Sequence, residues 1–268
     1  MTPEGTATSD GTGSSGRVQR QQVIADFILE RGSGTAAEIA ELTGVSVMTV
    51  HRDLDELARQ GIVRRYRGGA SAQPSSVFEA NIEFRLRAAQ REKAAIGALA
   101  RELVEPGMSV LLDDASTTLA LARTLRGIEP LTVVTNNVGA LLTLKEVPGI
   151  RLIGLGGLYL PTHDSFNGVG CVEAIAALTV DIVFVSTSSM TASMTYHQEQ
   201  DIVLVKRAML HAAERKVLLM DSSKIGRRAL HQLAPVSDYD LVITDSGADP
   251  EALNELRSGS TPIRVAKL

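Results

Sequence analysis

The chain carries a single cysteine, Cys171, no tryptophan, and only four tyrosines and five phenylalanines. One thiol rules out an intramolecular disulfide framework and is too little sulfur for a structural zinc site, so Cys171 reads as a small buried apolar residue. The five histidines include no pair at helical i, i+4 spacing, and neither a metal nor a cofactor is expected. No apolar run is long enough to span a bilayer, and the N-terminus lacks a basic-then-apolar signal pattern. A cytoplasmic protein without a membrane partner is the expectation. A net charge of −4, from 27 Lys and Arg against 31 Asp and Glu, excludes a basic nucleic-acid coat. No nucleophile-elbow pattern supports a Ser–His–Asp triad, and no catalytic residue is assigned.

What the chain does have is length for about two domains, at 268 residues, and ample core material, at 44% hydrophobic. Residues 1–16 are mostly Gly, Ser and Thr, which cannot bury enough surface to offset the entropy of ordering, and a disordered tail is expected there. A first helix is predicted over 17–31, with Val23, Ile24, Phe27 and Ile28 on its apolar side.

The most informative stretch runs from Glu38 to Arg65. Gly44 stops one helical pattern where a sharp turn needs a residue without Cβ, and Ser46 is placed to cap the next. Val47, Val50, Leu54 and Leu57 then recur at helical spacing and should bury against Ile39 and Leu42. The other face offers Met48, Thr49, His51 and Arg52, side chains able to reach base edges, although His51 is equally well read as a plain surface histidine. Next, Arg64, Arg65 and Arg67 flank Tyr66 and run into a glycine pair, with no acid between Leu57 and Phe78. A hairpin of that composition suits a wing lying along phosphates. Residues 17–70 are therefore expected to form an α+β winged helix-turn-helix that reads a double-stranded DNA operator. One such module buries little DNA, so a dimer or tetramer is expected.

Ser71 to Ser76 is a linker by composition, and Glu79 to Val104 has the pattern of one long connecting helix. Residues 71–106 thus join the two domains. From residue 107 to 268, short apolar runs alternate with amphipathic stretches. Strands are predicted at Ser109–Leu112, Leu131–Thr135, Arg151–Leu155, Asp181–Ser186, Lys216–Asp221, Asp240–Thr244 and Ile263–Ala266. Strands apolar on both faces indicate an α/β domain with a mostly parallel sheet covered by helices. Ligands of such sheets bind beyond the carboxyl ends of the strands. There the sequence places Asp113, Asp114, Ser116, Thr117 and Thr118, then Asn136, then Gly156 and Gly157, then Asp221 and Lys224. The hydroxyl-rich turn reads as a phosphate cradle or as simple helix capping. The segment Thr191 to Asp201, with His197, Gln198 and Glu199, lines a pocket or is a solvated loop.

Taken in order, SVMTVHRDLDEL, RRYRGGA, LDDASTTLALA, VVTNN, GLGG, VKRAML and DSSKIG make the chain resemble DeoR-family transcriptional regulators from about Arg17 onward. The resemblance implies a sensor domain related to sugar-phosphate isomerases. It matches Asp113 to the family's strand-end aspartate, Ser116 and Thr117 to its hydroxyl loop, Asn136 to its strand-end amide, and Lys206 and Lys224 to its two lysines. Ala115 stands where the family usually has glycine, and Ser186 to Met190 lacks the usual glycines. The function implied is a repressor of carbohydrate metabolism genes controlled by a phosphorylated sugar or related metabolite. The competing reading is an active sugar-phosphate isomerase carrying a DNA-binding arm, with Asp113 or Glu199 as the base and Lys206 as the cation that stabilises the enediolate.

Overall fold

Capping decides where the first helices begin. The computed structural model of the chain describes residues 11–268, with side chains from residue 16 onward. In its first unit, α1 (Gly11–Arg31), β1 (Ser33–Thr35), α2 (Ala36–Thr43), α3 (Val47–Arg59), β2 (Arg64–Tyr66) and β3 (Gly69–Ser71) follow one another. The tail expected over 1–16 lies outside the described residues up to residue 10. From Gly11 the backbone is already helical, because a helix nucleated by the apolar residues that follow extends at little cost per residue.

Thr35 and Glu38 form a capping box that starts α2, and Gly44, at φ 69°, ends it. The Ser46 side chain then accepts the Thr49 N–H to start α3. Ile24, Ile28, Ile39, Val50, Leu54 and Leu57 are buried together. Val47 and Leu42, expected inside, are 45% and 48% exposed. Helical side chains lean toward the N-terminus, so a residue in the first turn of α3 points past its end. Leu42 instead lines an open surface cleft with Val23 of α1. Asp53 is buried and held by Arg20 Nε at 2.6 Å and Gln21 Nε2 at 3.0 Å, which ties α3 to α1.

The three strands form an antiparallel sheet in the order β1-β3-β2, with Arg67 and Gly68 as the turn between β2 and β3. A Cβ on Gly69 would sit 2.3 Å from the Gly34 carbonyl oxygen of the neighbouring strand. Only glycine lets β1 approach that closely. Gly69→Ala is expected to destabilise this unit by about 2 kcal/mol, read as a fall in the midpoint of its denaturant unfolding.

The second unit begins at Pro74. It opens with α4 (Ile82–Arg87) and α5 (Gln90–Arg101). The single helix expected over Glu79–Val104 is thus two: Ala88 is extended and Ala89 left-handed, at φ 51°. Lys93 Nζ donates to the carbonyls of Arg85 and Ala88 and so satisfies acceptors that the break sets free. No glycine or proline marks this break.

Beyond it come β4 (Ser109–Leu112), α6 (Ser116–Ala122), β5 (Leu131–Thr135), α7 (Val138–Leu144), β6 (Ile150–Gly154), the hairpin β7 (Leu158–Leu160) and β8 (Ser165–Asn167), α8 (Val169–Ala176) and β9 (Val180–Val185). The chain closes with β10 (Ser189–Met190), β11 (Met194–His197), α9 (Gln200–His211), β12 (Ala213–Leu219), β13 (His231–Pro235), β14 (Leu241–Asp245), α10 (Pro250–Arg257) and β15 (Ile263–Ala266). Seven of these strands form a parallel sheet in the order β15-β14-β12-β9-β4-β5-β6.

Alternation along the strands divides the core. Val110, Leu112, Val133, Phe184 and Val217 pack under α5 and α6, whereas Leu111, Val134, Val183, Leu218 and Val242 pack on the other face against α8 and α9. Cys171 of α8 is fully buried in that second layer. The chain proceeds from β4 to β5 and β6 on one side and from β9 to β12 on the other. The switch point, where a crevice must open between diverging connections, therefore lies between β4 and β9.

Candidate functional site

Asp113 and Asp114 leave the end of β4 at this switch point, and Lys206 reaches them from α9. The Lys206 Nζ lies 2.5 Å from Asp113 Oδ2 and 2.8 Å from Asp114 Oδ1, and all three residues are buried. Asp113 also accepts the Ala115 N–H and the Thr118 hydroxyl on one oxygen and the Ser186 N–H, at the end of β9, on the other. Asp114 accepts the Ser165 hydroxyl. Burial alone would push the Lys206 ammonium down, but the two carboxylates outweigh it and hold it charged, above its ordinary range. Burial would likewise push Asp114 up. Lys206, with Arg85 adding to it, instead holds that carboxyl well below the usual range.

Two buried histidines border this hub. His197 Nδ1 accepts the Glu199 N–H at 3.1 Å, which leaves the proton on Nε2, 3.6 Å from Glu79 Oε2. Burial, with Lys206 adding to it, drives the His197 pKa well below its ordinary value, so the ring is neutral. His163 Nδ1 faces Arg85 Nη2 at 3.3 Å, and because an arginine can only donate, the His163 proton sits on Nε2 toward Glu199 Oε1 at 2.9 Å. On the far side, Lys224 Nζ donates to the Thr187 carbonyl at 3.0 Å and lies 3.6 Å from Asp221. Burial would raise Asp221, and Lys224 overcomes it, so this carboxyl is held low.

Glu79, Arg85, Asp114, Ser186, Lys206 and Lys224 share the wall of one cavity. Its volume of about 10 Å³ is room for about one water. At the start of α6 and the end of β5, the Thr117 hydroxyl and the Asn136 side-chain carbonyl are buried without hydrogen-bond partners, as is Arg85 Nε on the cavity wall. Buried polar atoms are ordinarily paired, and such orphans gather where a solute or water is bound.

In the first unit, Ser46, Met48, Arg52 and Arg67 are exposed, and Thr49, His51, Arg64 and Arg65 are partly covered. Arg67 stands at the tip of the hairpin. Arg65 folds back on α3, with Nε 3.1 Å from Asp55 and Nη2 2.8 Å from His51 Nδ1. It braces the hairpin against the helix. Arg64 Nε is buried without a partner.

Residues 20–76 match the DeoR-like helix-turn-helix domain and residues 88–246 the DeoR C terminal sensor domain. The uncharacterized HTH-type transcriptional regulator YgbI of Escherichia coli strain K12 is 34% identical over 250 residues, 93% of this chain and 98% of that protein. The chain belongs to the DeoR family. It is a DeoR-family transcriptional regulator, a helix-turn-helix unit followed by a sensor domain. The glycerol-3-phosphate regulon repressor of the same organism is 29% identical over 235 residues, covering 86% of this chain and 91% of that protein. Among solved structures, ribose 5-phosphate isomerase A from Methanocaldococcus jannaschii aligns over 51% of this chain and 54% of its own at 18% identity, with a TM-score of 0.37.

Against this DeoR-family frame, the strand-end residues divide. Lys206 and Lys224 line the crevice, Asp113 holds Lys206 and Thr118 from behind it, and Asp221 backs Lys224, whereas Thr117 and Asn136 are buried at the start of α6 and the end of β5. Ser116 instead lines a separate cavity with Lys93 and Arg123. Gly156 and Gly157 are exposed beyond β6, and Gly157 serves the fold, because a Cβ there would lie 2.4 Å from the Asn167 carbonyl. Ala115, in place of the family's glycine, puts its N–H on Asp113. Glu79, Arg85, His163 and Ser165 were not singled out from sequence. They come from the connecting segment and from the β7–β8 hairpin, and no local pattern ties them to the strand ends.

Lys206→Met leaves two buried carboxylates without their cation, at a cost of about 3–5 kcal/mol. The sign of the acid response should reverse as well. In the parent protein Asp114 has a depressed folded pKa, so its stabilisation is present above its unfolded value of about 4 and is lost as pH falls through the folded one. In the variant, burial raises the Asp114 pKa, the folded state binds the extra proton, and stability rises as pH falls from 7 toward 5. Denaturant melts across that range distinguish the two slopes.

Proposed function

We propose that this DeoR-family regulator is a repressor of carbohydrate metabolism genes whose hold on its operator is controlled by a phosphorylated sugar or polyol bound in the crevice between β4 and β9. The observation that carries this reading is the buried site itself. Its wall brings the carboxylate of Asp114 together with the cations Arg85, Lys206 and Lys224 at a switch point, and the neighbouring strand ends leave polar atoms on Thr117 and Asn136 unpaired. A carboxylate suits sugar hydroxyls, a lysine suits a phosphate, and the glycerol-3-phosphate regulon repressor is a relative by sequence. The effector must bind the DNA-competent and DNA-incompetent arrangements unequally, because equal binding shifts nothing.

Catalysis is the weaker reading. Asp113, a base for enediol chemistry, already accepts hydrogen bonds on both oxygens, Glu199 is bonded to His163, and the cation Lys206 is clamped between two carboxylates. The relatives compared above are named as regulators.

On DNA, α3 enters the major groove with Met48, Thr49, His51 and Arg52 toward base edges, Ser46 and the start of α3 sit at a phosphate, and Arg67 follows the backbone from a hairpin that Arg65 braces. The chain acts as a dimer or tetramer on repeated half-sites. Arg52→Ala is expected to relax base preference. Arg67→Ala, at the exposed hairpin tip, should weaken all sequences alike and lower the salt slope by about one. Fluorescence-anisotropy titrations at several salt concentrations check both, and an unchanged slope removes Arg67 from the phosphate interface.

The controlling ligand is tested with DNA from upstream of the protein's own gene, titrated with a panel of sugar phosphates and the matching free sugars. Release is expected from a phosphorylated compound and not from its free sugar. Binding that no compound alters would sink the sensor reading and leave the DNA reading standing.

A further inference from the structure

The connecting segment supplies two charged side chains to the crevice, and the inference drawn from them rests on the reading of that crevice as an anion site. Glu79 precedes α4 and is buried. Its Oε1 accepts only the N–H of its neighbour Ala80, and its Oε2 faces the neutral His197 ring at 3.6 Å. It is thus a buried carboxylate with no cation in hydrogen-bond contact among the described residues, a costly arrangement unless something nearby compensates. What lies nearby is a set of cations, since Arg85, Lys206 and Lys224 share its cavity wall.

Arg85, on α4, is only half engaged. Its Nη2 donates to His163 at 3.3 Å, while its Nε is buried with no partner. A guanidinium with a free edge is matched to the paired oxygens of a phosphate. The cavity, at about 10 Å³, has room for about one water and none for a phosphate, so a ligand must displace part of the wall. Lys206, Asp114 and Ser186 are locked together by the hub's hydrogen bonds. Glu79 is anchored by its own backbone and one long contact.

We propose that Glu79 is a built-in carboxylate occupying the anion position, and that Arg85 is a further ligand of the incoming phosphate. The cavity has no room for both groups at one position and their like charges repel, so binding expels the Glu79 carboxylate while Arg85 turns its free edge inward. Because Glu79 and Arg85 belong to the segment that follows the helix-turn-helix unit in the chain, ligand occupancy acts directly on that connection. The site then carries its own competitor, which sets the effector affinity.

The test is calorimetric titration of the full chain with inorganic phosphate and with glycerol 3-phosphate. The proteins are the parent, Glu79→Gln, Arg85→Gln and Lys224→Gln, each first shown to unfold cooperatively. Glu79→Gln should bind at least one of these probes about tenfold more tightly, and Arg85→Gln about tenfold more weakly. Parent-like affinities in both, with binding lost in Lys224→Gln, would overturn this proposal and leave the crevice as an anion site. Absence of binding in both the parent and Glu79→Gln would overturn the two readings together.

Discussion

Lys206 held between Asp113 and Asp114 is the interaction on which the sensor unit depends. It joins the end of β4 to α9, and through the Ser186 N–H on Asp113 it also fixes the end of β9. Burying three charges is expensive, and well-packed apolar residues would often stabilise a fold as much. What the triad provides instead is geometry. With both carboxylates committed and Thr118 and Ser165 placed on them, the floor of the crevice is rigid before any ligand arrives, and adaptation is left to its roof.

That roof is the connecting segment. It is not the featureless spacer its composition suggests: Ile82 N–H donates to the Thr162 carbonyl, Gln198 holds the Ser75 carbonyl, and Lys93 pins the break between α4 and α5. Burial, with Lys224 adding to it, pushes the Lys93 ammonium down to about 7, another sign that charge is crowded where the segment meets the sensor core.

The parallel strands were legible because they are apolar on both faces. Ser109–Leu112, Leu131–Thr135 and Ile263–Ala266 lie where the pattern puts them, and the other predicted strands of the sheet are displaced by one to three residues at their ends. Gly44 and Ser46 were legible for the same reason, since turn and cap chemistry is local. Tertiary geometry was not. Val47 has helical spacing but sits at a helix start, the strands of the β7–β8 hairpin are three residues long with polar Ser165 and Asn167 as the buried positions of β8, and the break at Ala88 and Ala89 carries no breaker residue. Glu79 and Arg85 reach the site across a long stretch of chain, and nothing in their neighbourhood distinguishes them from a solvated helix face.

The central claim is that filling the crevice moves the segment that leads from the DNA-reading unit. Hydrogen exchange of the operator-bound chain, followed over Phe78 to Arg87 with and without the compound that releases DNA, addresses it directly. The account predicts faster exchange at Ala80 and Ile82 when the compound binds. Release of DNA with unchanged exchange across this segment would contradict it.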